Sequence, residues 1–398
     1  MPQTLPINAD GDQVTILQSS ISAITDEVYS NARKLTGTGI VGTNDQIDVG
    51  TETYMGQIRW NKPLNPKINI ASLTDATDGQ KTNSAQDYLR YIKTVRTHGS
   101  GKVNMASVVT QTDGLAKIGR DFGETRAQDE HNALLSILKG VALSEALTGA
   151  ANGGLGGQTF ENDPTSSRHG FYVDLAGQPL VQPPQTGASG GMLAAPLLNA
   201  FGMAYKDYEP EYMYLAASPQ QIAQFRQANL IDSDRITDGN INFETLFGGK
   251  FRLISTRANQ GLGQGWMSAL ASSASGVALN GTKTTFLIHP GAIALKELAV
   301  EVPVEIERKA AAYQGGGTTD IWYRWGYVMA PAGYDWGGAE DAFPSDDQYA
   351  GFTISGKVPP SVPSASLPVP AALTDVKGVW QRKFTSALSL GILPIFHG

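Results

Sequence analysis

Residues Asp113 to Thr148, DGLAKIGRDFGETRAQDEHNALLSILKGVALSEALT, constrain this chain more than any other stretch, because they read as one uninterrupted helix in a sequence otherwise rich in glycine and short strands. Leu115, Ile118, Phe122, Leu134, Leu138 and Val141 recur at helical spacing, and no proline breaks the run. Thr112 or Asp113 can cap its start and Gly149 can close its end. At 1.5 Å per residue the segment spans roughly 54 Å, against about 11 residues for an average helix. A helix of that length must lean on several other parts of the chain or on other chains. On the side read as exposed, Lys117 and Asp121, Arg120 and Glu124, and Arg126 and Glu130 stand four residues apart. Such pairs stabilise a helix by only about 0.2 to 0.5 kcal/mol each, so they serve either a solvated face or contacts with a neighbouring subunit.

The 398 residues suffice for two or three domains. Charged residues make up only 17%, below the roughly 25% of soluble domains, which leaves less surface meant for water and suggests coverage by partners. A net charge of −7 argues against a dedicated nucleic-acid binder, which carries a basic stripe. With no cysteine there is no disulfide, thiolate metal site or cysteine nucleophile. The N-terminus, MPQTLPINADGDQ, is not built as a signal peptide, and no run of 18 apolar residues occurs, so no membrane partner is expected.

Along the chain, Leu17, Ile21, Ile24 and Val28 place a short amphipathic helix over 14–35, too short to stand free and therefore expected to dock. From Gly50 to Val109 strand-like runs (TYMGQIRW, KINIAS, YLRYIKTVR, VNMASVVT) alternate with polar spacers, predicting a two-stranded excursion with its tip near Asp78 to Ser84, a region that includes Lys81. After the glycine-rich GAANGGLGGQ, a second unit reads as helix (Ala195 to Tyr205), buried strand (EYMYLAAS), a helix opened by proline (PQQIAQFRQANLI) and a strand (GGKFRLISTR). TTFLIHPGAIALKEL reads as one further strand. VPVEIERKAAAY alternates Val302, Val304 and Ile306 against Glu305 and Glu307, and QGGGTTD turns it back into IWYRWGYVMAP. The tail after Asp341 is proline-rich and not diagnostic, and VPPSVPSASLPVPAALT within it has no core-forming pattern of its own.

Motifs for chemistry are weak. Ser189 in GASGG has the letters of a nucleophile elbow but follows QPPQT, which is no strand. GLGQGW at Gly261 to Trp266 lacks the helix and acidic residue that a dinucleotide fingerprint needs. The histidines, His98, His131, His169, His289 and His397, are isolated in sequence. Glu305 with Glu307, and Asp346 with Asp347, are better explained as a polar strand face and a solvated loop than as acid/base pairs. The aromatics Trp322, Tyr323, Trp325, Tyr327 and Trp336 read as a sheet core with a buried edge. No catalytic residue, cofactor or metal is expected.

The order of parts carries more information. DGLAKIGRDFGETRAQDEHNALLSILKGV, YMYLAASPQQIAQFRQANLID, FLIHPGAIALKE, VEIERKAA and WYRWGYVMAPAGYDW, the last with Pro331, Gly333 and Trp336, follow one another over residues 95–340 as in the major capsid proteins of tailed bacteriophages, which this chain resembles. The chain departs from that pattern at His289-Pro290 and at Leu215-Ala216-Ala217-Ser218.

The resemblance implies an α+β, Hong Kong 97-like fold. Its divisions would be an N-terminal arm over 1–49, an extended loop over 50–110, a peripheral domain with the spine helix from 111–194, an axial domain over 195–284, and the second peripheral part with the tail over 285–398. It implies a shell protein of a virion, assembled in the host cytoplasm. The subunits would form hexamers and pentamers of an icosahedral head around double-stranded DNA, without sequence-specific contacts. Other partners would be a portal, possible decoration proteins and a scaffold. Since 112 residues precede the long helix and the arm and loop use nearly all of them, the scaffold is expected to be a separate protein. Candidate intersubunit contacts are Leu17, Ile21, Ile24, Val28, Asp78, Lys81, Arg120, Glu124, Arg126 and Glu130. An encapsulin-like compartment shell, a decoration or tail protein, and a hydrolase acting through Ser189 are the rival readings.

Overall fold

In the computed structural model the described residues are 12–33, 35–50, 52–61, 86–103, 114–148, 170–175, 178–181, 195–205, 210–232, 236–238, 241–255, 283–309, 317–340, 342–354, 376–383 and 390–398. In chain order, helix α1 (Asp12–Ala32) precedes strands β1 (Val41–Gly42), β2 (Met55–Asn61) and β3 (Gln86–Val103). Helix α2 (Gly114–Thr148) follows, then β4 (Val173–Asp174), α3 (Ala195–Ala204), β5 (Met213–Ala217) and α4 (Pro219–Gln227). Next come β6 (Ile236–Asp238), β7 (Ile241–Phe243), β8 (Thr245–Leu246), β9 (Phe251–Ser255), β10 (Lys283–Ile288), β11 (Ile293–Glu297), β12 (Val304–Lys309) and β13 (Thr318–Pro331). The chain closes with β14 (Tyr334–Trp336), α5 (Asp346–Tyr349), β15 (Phe352–Ile354), β16 (Val376–Gly378), β17 (Trp380–Arg382) and β18 (Ile392–His397).

Helix α2 runs for 35 residues, as its apolar period predicts. Its two ends are buried differently. Around Ile118 and Phe122 one stripe faces the protein, whereas Ala133 to Leu138 and Gly140 to Ala146 are buried on every side. A helix end that is covered all round belongs to the interior. Ser144 and Gly140 give it a close fit there, because Trp380 donates its backbone N–H to Ser144 Oγ (3.3 Å) and its ring packs over Gly140.

Two six-stranded sheets flank this helix. The first has the order β1-β11-β13-β3-β2, with β12 paired to the far end of β13. Along β3 the pairing changes partner without overlap: Gln86 to Ile92 face β2, and Lys93 to Val103 face β13. The second has the order β4-β18-β10-β5-β9-β8, with β5 and β9 parallel and joined through α4. A capping box starts α4: Ser218 Oγ accepts the Gln221 N–H, and the Gln221 side chain accepts the Ser218 N–H.

Two expectations are corrected, the single strand over TTFLIHPGAIALKEL and the burial of Trp322. TTFLIHPGAIALKEL is two strands in two different sheets, β10 in the second and β11 in the first. Pro290 has no N–H for a ladder and Gly291 adopts φ of 70°, so the chain turns there, anchored by the His289 N–H on Gly391 O (2.7 Å) and the Gly291 N–H on Gly39 O (2.8 Å). Beyond the stretch VPPSVPSASLPVPAALT, which lies outside the described residues, β18 is wholly buried and pairs with all six residues of β10. Strand β10 runs across residues 284 and 285, and the strands from β10 onward belong to both sheets. Of the aromatics, Tyr323, Trp325, Tyr327 and Trp336 are buried, but Trp322 is 42% exposed.

Candidate functional site

A group of buried charged and phenolic side chains lies where α1, α2 and the first sheet meet. Helix α1 lies against α2 at Gly119 and Gly123, where a Cβ on Gly123 would come within 2.7 Å of the Thr25 carbonyl oxygen. Thr25 Oγ1 donates to Gly119 O (3.2 Å). This approach brings the Tyr29 hydroxyl 2.7 Å from both carboxylate oxygens of Glu130. Arg126 reaches Glu130 Oε1 (3.3 Å), Glu297 Oε1 (2.6 Å) and the Tyr323 hydroxyl (3.2 Å), with its guanidinium 3.8 Å from the centre of the Tyr29 ring. One arginine therefore ties α1, α2, β11 and β13 together.

Burial raises the Glu130 carboxyl above its ordinary range, against the opposing pull of the Tyr29 hydrogen bond and of Arg126. Burial likewise raises the Tyr29 phenol.

These contacts correct the reading of Arg126 and Glu130 as part of an exposed face. Arg126 and Glu130 are 7% and 0% exposed, not on a solvated face, and their partners are in the same chain. Ile21 is buried, and Ile24 and Val28 pack at Gly119 and Gly123, so α1 docks on α2 of the same chain. Arg120 and Glu124 do lie on the exposed side of α2. The side chain of Leu17, and Asp78 and Lys81, lie outside the described residues, as do Ser189, His169 and GLGQGW.

A second group of contacts roots the β2–β3 ladder. Lys93, 0% exposed, donates from Nζ to Asp48 Oδ2 (2.7 Å), Thr53 Oγ1 (3.2 Å) and the Gly50 carbonyl. The Lys93 hydrogen bond is the chief reason that the Asp48 carboxyl sits below its ordinary range. Arg90 holds Asp335 through its backbone N–H (2.6 Å) and its guanidinium (3.0 and 3.1 Å). Further along, Asp129 on α2 accepts from Trp325 Nε1 (3.0 Å) and the Tyr327 hydroxyl (3.1 Å), while Arg96 bridges Asp129 (3.4 Å) and Asp346 (3.2 Å). Burial, and then the neighbouring Asp129, raise the Asp346 carboxyl.

The structure does not bring the remaining chemical candidates together. His98 faces Asp121 (3.3 Å), His131 and His397 are buried in separate places, and His289 sits in the turn between the sheets. Glu305 pairs with Arg324 (2.6 Å) and Glu307 with Lys309 (3.4 Å). Among the described residues no cluster of three His, Cys, Asp or Glu groups has the arrangement to hold a metal ion, and no helix is long and apolar enough to cross a membrane.

Sequence reasoning missed Tyr29, Lys93, Asp129 and Glu145. Glu145 is fully buried and accepts from Phe171 N (2.6 Å) and Arg382 Nη1 (3.2 Å). Only Gln221 had a readable signal, the Ser-x-x-Gln spacing of its capping box.

No protein-family model matches the sequence, and no curated protein matches it either. Among solved structures the chain is similar to "Capsid of Ralstonia phage GP4" at 12% identity and a TM-score of 0.46, over 76% of this chain and 87% of that one. It is similar to "Cyanophage Pam1 capsid asymmetric unit" at 11% and 0.44, over 83% and 92%. It is also similar to "The head structure of Helicobacter pylori bacteriophage KHP40" at 10% and 0.41, over 90% and 88%.

Proposed function

We propose that this chain is the major capsid protein of a tailed double-stranded DNA bacteriophage, a subunit that assembles with copies of itself into hexamers and pentamers of an icosahedral shell. The observation that carries the reading is the partition of β3. Its last eleven residues belong to the sheet, and its first seven leave β13 to form a ladder with β2 alone. Two strands by themselves are at best marginally stable in water. Here the root is fixed by Lys93 and Arg90, while Gln57, Arg59, Gln86 and Tyr88 stay exposed on the ladder itself. Such a ladder suits a surface that a neighbouring copy covers.

The long helix, the charged joint beneath the sheet and the second, apolar sheet make a rigid body from which it reaches out. The loop over 50–110, with Asp78 and Lys81, is then a contact to an adjacent subunit, and Arg120 and Glu124 are further contacts. Scaffold, portal and decoration proteins are the expected other partners, with DNA enclosed without sequence readout and assembly in the host cytoplasm.

The test is electron microscopy and light scattering of the purified chain, alone and with its scaffold. Shells or capsomer rings are expected, and a monomer under all these conditions overturns the reading. Deleting Asp78 to Ser84 should spare subunit folding and weaken assembly. Cargo peptides inside the shells, in place of a genome, would favour the compartment reading instead.

A further inference from the structure

The turn between β8 and β9 holds the one bulky residue that the described backbone places in a left-handed conformation. Phe247 has φ of 56°; the other non-glycine residue with positive φ is Asn229, a type that tolerates it. Nothing in the turn requires an aromatic there. Leu246 and Phe251, on either side, are fully buried, yet Phe247 is 37% exposed and meets Phe251 only edge-on, with ring centres 6.0 Å apart.

The turn is nevertheless held firmly. Asp232 Oδ2 accepts from Thr245 Oγ1 (3.0 Å), Gly248 N (3.0 Å) and Gly249 N (3.2 Å), and the Asp232 N–H donates to Thr245 O (2.9 Å). Gly248 and Gly249 supply the two further positive φ values, of 67° and 90°, that the turn needs. A strained residue persists where the surroundings over-determine it, and such strain concentrates at functional contacts.

Resting on the shell reading, we infer that Phe247 is a preset aromatic knob by which the second sheet of one copy grips a second copy of this chain. The other exposed large apolar side chains, Val49, Tyr54, Tyr88, Val302 and Trp322, all lie on the first sheet or the segments flanking its strands. Knob and apolar surface therefore belong to unlike parts of the molecule. A contact between unlike surfaces is head-to-tail, and head-to-tail contacts build rings of identical chains when the rotation closes and open filaments when it does not.

Two measurements on the full chain test this. Phe247→Asn should leave the melting temperature of the unassembled subunit unchanged or raised, because asparagine fits the backbone, while the concentration needed for assembly rises about tenfold or more, the scale of an interface hot spot. A variant that melts earlier and assembles worse in proportion would mean a folding role and overturn the inference, as would unchanged assembly. In the second, a photo-crosslinking benzoylphenylalanine at position 247 should link two copies in assembled particles. Adducts to another protein, or none, would overturn it. If the unsubstituted chain itself forms no assemblies, it is the shell reading that fails.

Discussion

The two sheets are held by different physics. Beneath the first lie directional charged contacts: Arg126 among Tyr29, Glu130, Glu297 and Tyr323, Arg96 between two aspartates, and Lys93 in its ring of oxygens. The second is mostly hydrocarbon, with β5, β18 and five of the six residues of β10 buried, and its buried polar contacts are neutral or local: Gln221 with Thr285 and His397, and Thr245 with Asp232. Apolar packing fills volume without fixing direction, whereas a buried ion pair tolerates few arrangements and adds little net stability. The first sheet has to hold an arm helix and a projecting ladder at set angles. The second has to be solid.

This contrast breaks most readily at Arg126. Arg126→Ala leaves the fully buried Glu130 without its cation and is expected to cost about 3 to 5 kcal/mol in chemical denaturation. Arg126→Met with Glu130→Gln should recover more than half of that; a double variant as unstable as the single would sink the electrostatic account. In the second sheet Leu215→Ala should cost about 2 to 5 kcal/mol, and no charge change elsewhere should rescue it.

His397 sharpens the comparison through pH. Burial lowers its pKa to about 4 from an ordinary 6.5. Its Nδ1–H faces Gly398 O, leaving Nε2 to accept from Gln221, and the nearest cation on the paired strand is Lys283, opposite His397 in register. As pH falls below 6.5 the unfolded chain takes the proton first, so stability is full above that value and is lost down to about 4, by roughly 3 kcal/mol in all. Glu130 and Asp346, whose pKa values are raised, slope the other way. The His397→Gln variant keeps those two slopes, so its denaturation profile subtracted from that of the unsubstituted chain should isolate the histidine. An identical pair of profiles would refute the assignment.

Gly123→Ala probes the close approach of the arm. The new Cβ meets backbone of α1, so about 1 to 3 kcal/mol should be lost, with α1 freed first in limited proteolysis. Smallest of all, Arg324→Ala removes a pair whose side chains are 34% and 54% exposed and should change stability by less than about 1 kcal/mol.

The same contrast marks what was legible in the sequence. Apolar periodicity showed α2 almost to the residue and the strands β5, β9, β12 and β13, because a buried stripe is written locally. The charged joint was not legible, since Arg126 and Glu130 form an ordinary i,i+4 pair to any reader of α2, while Tyr29 stands 101 residues from Glu130 and Tyr323 stands 197 from Arg126. His289-Pro290-Gly291 did carry a turn signal, masked by the apolar residues on both sides. The strand β18 carries little sequence signal because its short apolar run follows a proline-rich tail, although it is a fully buried inner strand paired along the whole of β10.

The partner exchange along β3 has a mechanical side. A load arriving at Asn61 and Gln86, the end of the ladder farthest from its root, pulls along the strand axis, and eleven consecutive residue pairs between β3 and β13 oppose it in shear. In that geometry the bonds are strained together, whereas a pull across the strands would open them one after another like a zip. Rupture is then governed by the barrier to sliding the whole overlap, a kinetic quantity that equilibrium stability does not report. A container under internal pressure would draw its tensile strength from the length of that overlap.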